Sequence, residues 1–126
     1  MKYLLDANII LGLTLGRGDA LRARFVECVE GELATSAIAY AEVAYGSHNR
    51  KAPAVSQLQA FVEEVPVLPF DDRAALAYAR LPFKRASYDR LIAAHALSLG
   101  LVLVTNNTAD FADIPDLRVE NWTRPS

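Results

Sequence analysis

Lys2-Tyr3-Leu4-Leu5-Asp6-Ala7-Asn8-Ile9-Ile10 is the stretch that decides the fold. Tyr3, Leu4 and Leu5 form an apolar run without polar alternation. Such a run predicts a strand buried on both faces, as in a parallel sheet covered by helices. Asp6 closes the run. In open α/β sheets ligands bind just beyond the carboxyl ends of the strands, so Asp6 stands where a crevice would form. Capping the next helix is the ordinary role of an acid at that place, and position alone leaves both roles open.

Working outward, Asn8 to Leu15 reads as a short helix capped by Asn8, and Gly16-Arg17-Gly18 breaks it. Asp19 caps a second helix from Ala20 to about Glu30, Gly31 ends it, and Glu32 to Thr35 is the second strand. Ser36 caps the next helix, Ala37 to Tyr45, which is apolar on nearly every side and therefore predicted to be buried, with Gly46 as its stop. Ser47 to Pro53 reads as a polar loop and Ala54 to Glu64 as a helix. Pro66 and Pro69 remove ladder donors from the strand-like Val65 to Phe70, which assigns it to a sheet edge or to irregular structure. Asp71 or Asp72 caps a helix to about Leu81, and Ser87 caps another from Tyr88 to Leu99, stopped by Gly100. Leu101 to Thr105 is the clearest buried strand, Asn106 to Phe111 a polar turn, and Asp116 to Trp122 a last edge strand. Strands alternating with helices predict an α/β fold. The expectation is one three-layer α/β/α domain over residues 1–126, with a central, mostly parallel, five-stranded sheet.

The composition is 52% hydrophobic and 22% charged, which excludes a disordered chain. No apolar run is long enough to span a membrane, and no signal region precedes the first strand. The lone Cys28 has no intramolecular partner, so a reducing, cytoplasmic setting is expected. The net charge of -2 is not the basic footprint of most nucleic-acid binders. Locally, however, Lys84, Arg85 and Arg90 cluster, as do Arg17, Arg22 and Arg24.

Three further acids sit in similar places to Asp6. Glu42 is the only charge of its apolar helix, and an ionised carboxylate there is costly unless paired, for instance with Arg90, or bound to a metal. Asp89 lies in the first turn of its helix, where the helix dipole alone would favour it. Ile92, Ala93 and Ala96 share its face at about 100° per residue, which sets Asp89 above the end of the sheet. After the clearest strand, Thr105-Asn106-Asn107-Thr108-Ala109-Asp110-Phe111 offers two amides, two hydroxyls and a carboxylate, residues that also make ordinary polar turns. Carboxylates brought close raise one another's pKa unless a cation intervenes. An all-oxygen cluster suits Mg²⁺ or Mn²⁺, and such a site suits metal-assisted phosphodiester hydrolysis. His95 points about 240° away from Asp89 around the same helix, as a core or interface histidine, and His48 falls in a polar loop. No nucleophile elbow, P-loop or zinc spacing is present.

Taken in order, Leu4-Leu5-Asp6-Ala7-Asn8, Ala41-Glu42-Val43-Ala44-Tyr45-Gly46, Tyr88-Asp89-Arg90-Leu91-Ile92-Ala93-Ala94-His95-Ala96, Val104-Thr105-Asn106-Asn107-Thr108, Phe111 and Glu120-Asn121-Trp122 resemble the PIN-domain ribonucleases. Among these they are most similar to the VapC toxins of bacterial VapBC toxin–antitoxin pairs. The resemblance covers essentially the whole chain. It implies a Mg²⁺- or Mn²⁺-dependent endoribonuclease with Asp6, Glu42 and Asp89 as catalytic and metal-binding acids. It implies Asn107 or Asp110 at the position of a fourth acid, and Asn8 and Thr105 as polar supports. It also implies a homodimer, a VapB antitoxin placing an Arg among the acids, DNA contact only through that antitoxin, and tRNA or rRNA as substrate. Lys84, Arg85 and Arg90 are the candidates for holding the RNA backbone. Leu81-Pro82-Phe83-Lys84-Arg85-Ala86-Ser87 replaces the longer helix and Gly-containing turn of many relatives, which alters the RNA-facing rim.

A PIN-like binding module without turnover is the main alternative. A phospho-acceptor receiver domain would want adjacent acids after the first strand, where Asp6-Ala7 stands, and a Lys after the last buried strand, where Asn106-Asn107 stands. A haloacid-type phosphatase would want an acid at Asn8.

Overall fold

The computed structural model describes residues 1–124. Five short strands form the sheet: β1 (Tyr3–Leu5), β2 (Leu33–Ser36), β3 (Val67–Leu68), β4 (Val102–Val104) and β5 (Val119–Glu120). Six helices are threaded between them: α1 (Ala7–Thr14), α2 (Asp19–Glu27), α3 (Ala37–His48), α4 (Val55–Glu64), α5 (Asp72–Ala79) and α6 (Tyr88–Leu99). A 3₁₀ turn covers Thr108–Phe111. Strand order is β3-β2-β1-β4-β5, and every pairing is parallel.

The apolar run behaves as its pattern predicts. Tyr3, Leu4 and Leu5 are all buried at the centre of the sheet. Leu4 joins Ala34, Leu103, Val43, Ile92 and Ala93 on one face. Tyr3 and Leu5 join Leu33, Val104, Leu21 and Trp122 on the other. Two packed faces leave no position for a polar residue in β1, which is why the run does not alternate. Leu4 and Leu5 are fully buried, and burial of this kind contributes about 1.5–3 kcal/mol per side chain. The proline-bearing stretch keeps only Val67–Leu68 in the ladder, as an edge strand.

Three local expectations are corrected. Asp6, not Asn8, caps α1: its Oδ1 accepts from the Ile9 N–H at 3.0 Å. The N-cap of α2 is Gly18, with Asp19 in the first turn. Helix α3 runs through Gly46 to His48 and is not buried all round, since Ala41 and Tyr45 face solvent. It ends in a Schellman motif. Arg50 takes the left-handed conformation (φ 66°). The Lys51 N–H donates to the Gly46 carbonyl at 2.9 Å and the Arg50 N–H to that of Ser47 at 3.3 Å.

Candidate active site

The register of the sheet assembles the site. Leu5 is level with Thr35 in β2 and with Val104 in β4, so three strands end side by side. The Asp6 N–H still donates to the Val104 carbonyl at 3.1 Å, and the Thr35 hydroxyl donates to the Leu5 carbonyl at 2.7 Å. Asp6 and Thr105 therefore leave adjacent strands together. Ser36 begins α3 by accepting from the Ile38 N–H at 3.1 Å, and α3 carries Glu42. Ser87 begins α6 by accepting from the Arg90 N–H at 3.3 Å, and the first turn of α6 carries Asp89.

Asp6 is only 4% exposed. Burial pushes its carboxyl up to about 6, with the Thr105 hydroxyl and the Ile9 N–H pulling it down and the Asp89 charge pushing it up. Burial also raises Glu42, and the charges of Asp89 and Asp6 raise it further. Asp89 is raised by burial and then by Asp110. Asp6, Glu42 and Asp89 thus share one negative pocket, with Asp110 beside Asp89 at its edge. One oxygen of Glu42, Oε1, is buried without a hydrogen-bond partner among the described residues.

An orphaned, buried carboxylate oxygen facing two other acids is a poor arrangement for an empty fold and a good one for a hard cation, whose preferred donors are these oxygens. Among the described residues no three His, Cys, Asp or Glu side chains stand close enough to hold a metal by themselves. A cation here would keep much of its water, the usual habit of Mg²⁺.

The fourth position resolves into a linked pair. The Asn107 side-chain amide donates to the Asp110 carboxylate, and the Asn107 N–H donates to the Thr105 hydroxyl at 3.2 Å. Asp110 is the charge felt at Asp89, and Asn107 holds it there. Asn8 is exposed, and its amide donates to the Asn106 side-chain oxygen at 3.4 Å, bridging α1 to the loop after β4.

The basic candidates divide. Lys84 and Arg85 are exposed on the segment between α5 and α6. Arg90 is corrected: it is buried, and its guanidinium is committed to Asp113 and the Pro82 carbonyl, which removes it from RNA and from Glu42. Asp113 lies in an unremarkable loop, so nothing in the sequence marked it as a partner. His95 is a core residue, 1% exposed, with Nδ1 2.8 Å from the Ser36 hydroxyl and its ring edge-on to Phe70.

The model of the PIN domain matches residues 3–117. The chain belongs to the PIN domain family. Within it, this PIN domain is 30% identical to the tRNA(fMet)-specific endonuclease VapC of Shigella flexneri, with 98% of this chain and 99% of that protein covered. It is 33% identical to ribonuclease VapC1 of Haemophilus influenzae, over 98% and 100%. In three dimensions it superposes on VapBC2 from Rickettsia felis bound to a promoter DNA fragment with a TM-score of 0.85, at 29% identity and covering 97% and 99%. The PIN domain's three-layer α/β/α architecture with a parallel sheet is thus shared across the full length.

Proposed function

We propose that this chain is the toxin of a type II toxin–antitoxin pair, a metal-dependent endoribonuclease that cuts RNA to stop translation and growth. The single observation that supports this most is the convergence of Asp6, Glu42 and Asp89 on one pocket, with a buried Glu42 oxygen that has no hydrogen-bond partner among the described residues. Full-length similarity to proteins named VapC supports the same class.

Asp6 and Asp89 would hold Mg²⁺, or Mn²⁺ as substitute, with Glu42 completing the set and Asp110 reinforcing the negative field. When bound, such an ion polarises the scissile phosphate and lowers the pKa of a water. The chain's own residues do the rest. Asp6 is fixed by its cap to Ile9, and Asp89 rides on the first turn of α6, so the two carboxylates are presented from rigid elements. Glu42, raised by burial and then by the charges of Asp89 and Asp6, is suited to accept a proton from the attacking water and to orient it for in-line attack. The products are a 5′-phosphate and a 3′-hydroxyl. Lys84 and Arg85 hold the backbone without reading sequence.

The partner in this reading is a VapB-type antitoxin, which closes the pocket with a guanidinium and carries the DNA contact. The chain itself forms a homodimer in the cytoplasm, and no described helix is long and apolar enough to cross a membrane. The name of the Shigella relative makes tRNA the first substrate to try. Inducing the chain without its antitoxin should arrest growth, and 5′-end mapping of cellular RNA should show new discrete ends. Arrest with intact RNA would instead favour a binding module.

A further inference from the structure

A cavity lies beside Glu42. Its volume is about 240 Å³, and Asn8, Leu11, Glu42, Tyr45 and Lys51 are among its walls. Because Glu42 lines it and also feels Asp6 and Asp89, whatever fills this cavity lies against the reacting centre.

Two of these residues have no part in the chemistry described so far. Tyr45 follows Glu42 by three positions on α3, which places both on one face of the helix. Its side chain is 75% exposed, and its ring pairs with no other ring among the described residues. Lys51 is brought back to the same place by the Schellman motif, whose 2.9 Å bond ties its N–H to Gly46. Its stem lies over Gly46, where a Cβ would come within 3.7 Å of the Lys51 Cβ. No acid stands within ion-pair distance of Lys51 among the described residues. An unpaired cation and an open aromatic ring lining one cavity with Glu42 are the pair of features that single-stranded nucleic acid uses: a base stacks on the ring and a phosphate meets the charge.

We propose that Tyr45 and Lys51 form a nucleotide subsite beside the catalytic acids, in which the base flanking the scissile phosphate stacks on Tyr45 and its phosphate meets Lys51. The inference rests on the ribonuclease reading of the same pocket. Such a subsite takes an unpaired base, because a base within a helix has no free face to offer. Stacking tolerates any base, so this subsite selects single strands and not sequence.

The test uses a single-stranded RNA octamer carrying 2-aminopurine at each position in turn, titrated in Mg²⁺ against the full-length Asp89→Asn chain. One position should be quenched on binding. Adding Tyr45→Ala should abolish that quench and weaken binding about tenfold, and Tyr45→Phe should restore both. Lys51→Gln should keep the quench and reduce the salt slope by about 0.7, the value for one single-strand phosphate. Absence of quenching at every position, or unchanged affinity in Tyr45→Ala, overturns the subsite. So does a change of oligomeric state in Tyr45→Ala, which would assign the ring to an interface between copies. None of these results touches cleavage of RNA by the unmodified chain, whose absence would overturn the ribonuclease reading separately.

Discussion

Arg90 grips Asp113 through two hydrogen bonds, Nη1 to Oδ1 at 2.9 Å and Nη2 to Oδ2 at 3.1 Å. The pair ties the first turn of α6, where Asp89 sits, to the segment just past the 3₁₀ turn that carries Asp110. A planar guanidinium is suited to this two-point grip in a way that an ammonium is not. Its value to the site is positional: it keeps two acids of one pocket at a fixed spacing.

Arg90→Ala should therefore cost on the order of 2–3 kcal/mol of stability, since charged hydrogen bonds and packing are lost together. Arg90→Lys should recover only part of it. Urea unfolding midpoints at unchanged slope would measure both. A midpoint unmoved by Arg90→Ala would remove the positional role.

Burial of Asp6 makes the metal-free protein less stable as pH rises. The unfolded carboxyl loses its proton near 3.8 and the folded one near 6. Between these values the folded state binds more protons, so stability falls across that window and levels off above it. The shift corresponds to about 3 kcal/mol. His95 pulls the other way, because burial lowers its pKa and costs stability as pH falls below 6.5. The comparison with Asp6→Asn isolates the Asp6 contribution, since Asn still caps a helix well. In EDTA, the variant should match wild type near pH 4 and be the more stable protein at pH 7. Equal melting temperatures at both pH values would contradict the burial cost.

Divalent cations should reverse that cost. Mg²⁺ or Mn²⁺ should raise the melting temperature at pH 7, and less at pH 5, where protons compete for Asp6. Glu42→Gln should reduce the effect. Calorimetric titration at the two pH values reads the same coupling without any RNA present. A cation effect independent of pH and of Glu42 would place binding elsewhere.

Gly12→Ala should destabilise the protein although alanine favours helices. A Cβ at this position in α1 would lie 2.6 Å from Cδ2 of Leu21, which is buried at 2% exposure and has little room to move. Overpacking of this kind costs about 1–3 kcal/mol, against roughly 1 kcal/mol gained in propensity. Thermal unfolding would decide the sign.

Much of this was legible in the sequence for reasons that the structure makes plain. β1 and β4 are covered on both faces, so their apolar runs carry no alternation, and capping residues such as Ser36 and Ser87 announce their helices. Asp6 stood out because it closes an apolar strand, Glu42 because it is the only charge of its apolar helix, and Asp89 because it lies in the first turn of one. Long-range pairing was not legible. Arg90 sits beside Asp89 in the chain and looks like a surface cation, yet its partner is 23 positions away. The exposure of Tyr45 was hidden as well, since an aromatic in an apolar helix reads as core until the neighbouring elements are placed. Gly46 read as a stop, but the left-handed residue that ends α3 is Arg50.

On the proposed reading Asp6, Glu42 and Asp89 hold, partly through water, a cation that makes this pocket a nuclease. Its most direct test is incubation of the purified, antitoxin-free chain with total bacterial RNA in Mg²⁺ and in EDTA, wild type beside Asp89→Asn. Discrete fragments with 5′-phosphates are expected in Mg²⁺ with wild type, and none in EDTA or with the variant. Intact RNA from folded, Mg²⁺-supplied wild type, across tRNA and rRNA, or equal cutting by Asp89→Asn, would contradict it.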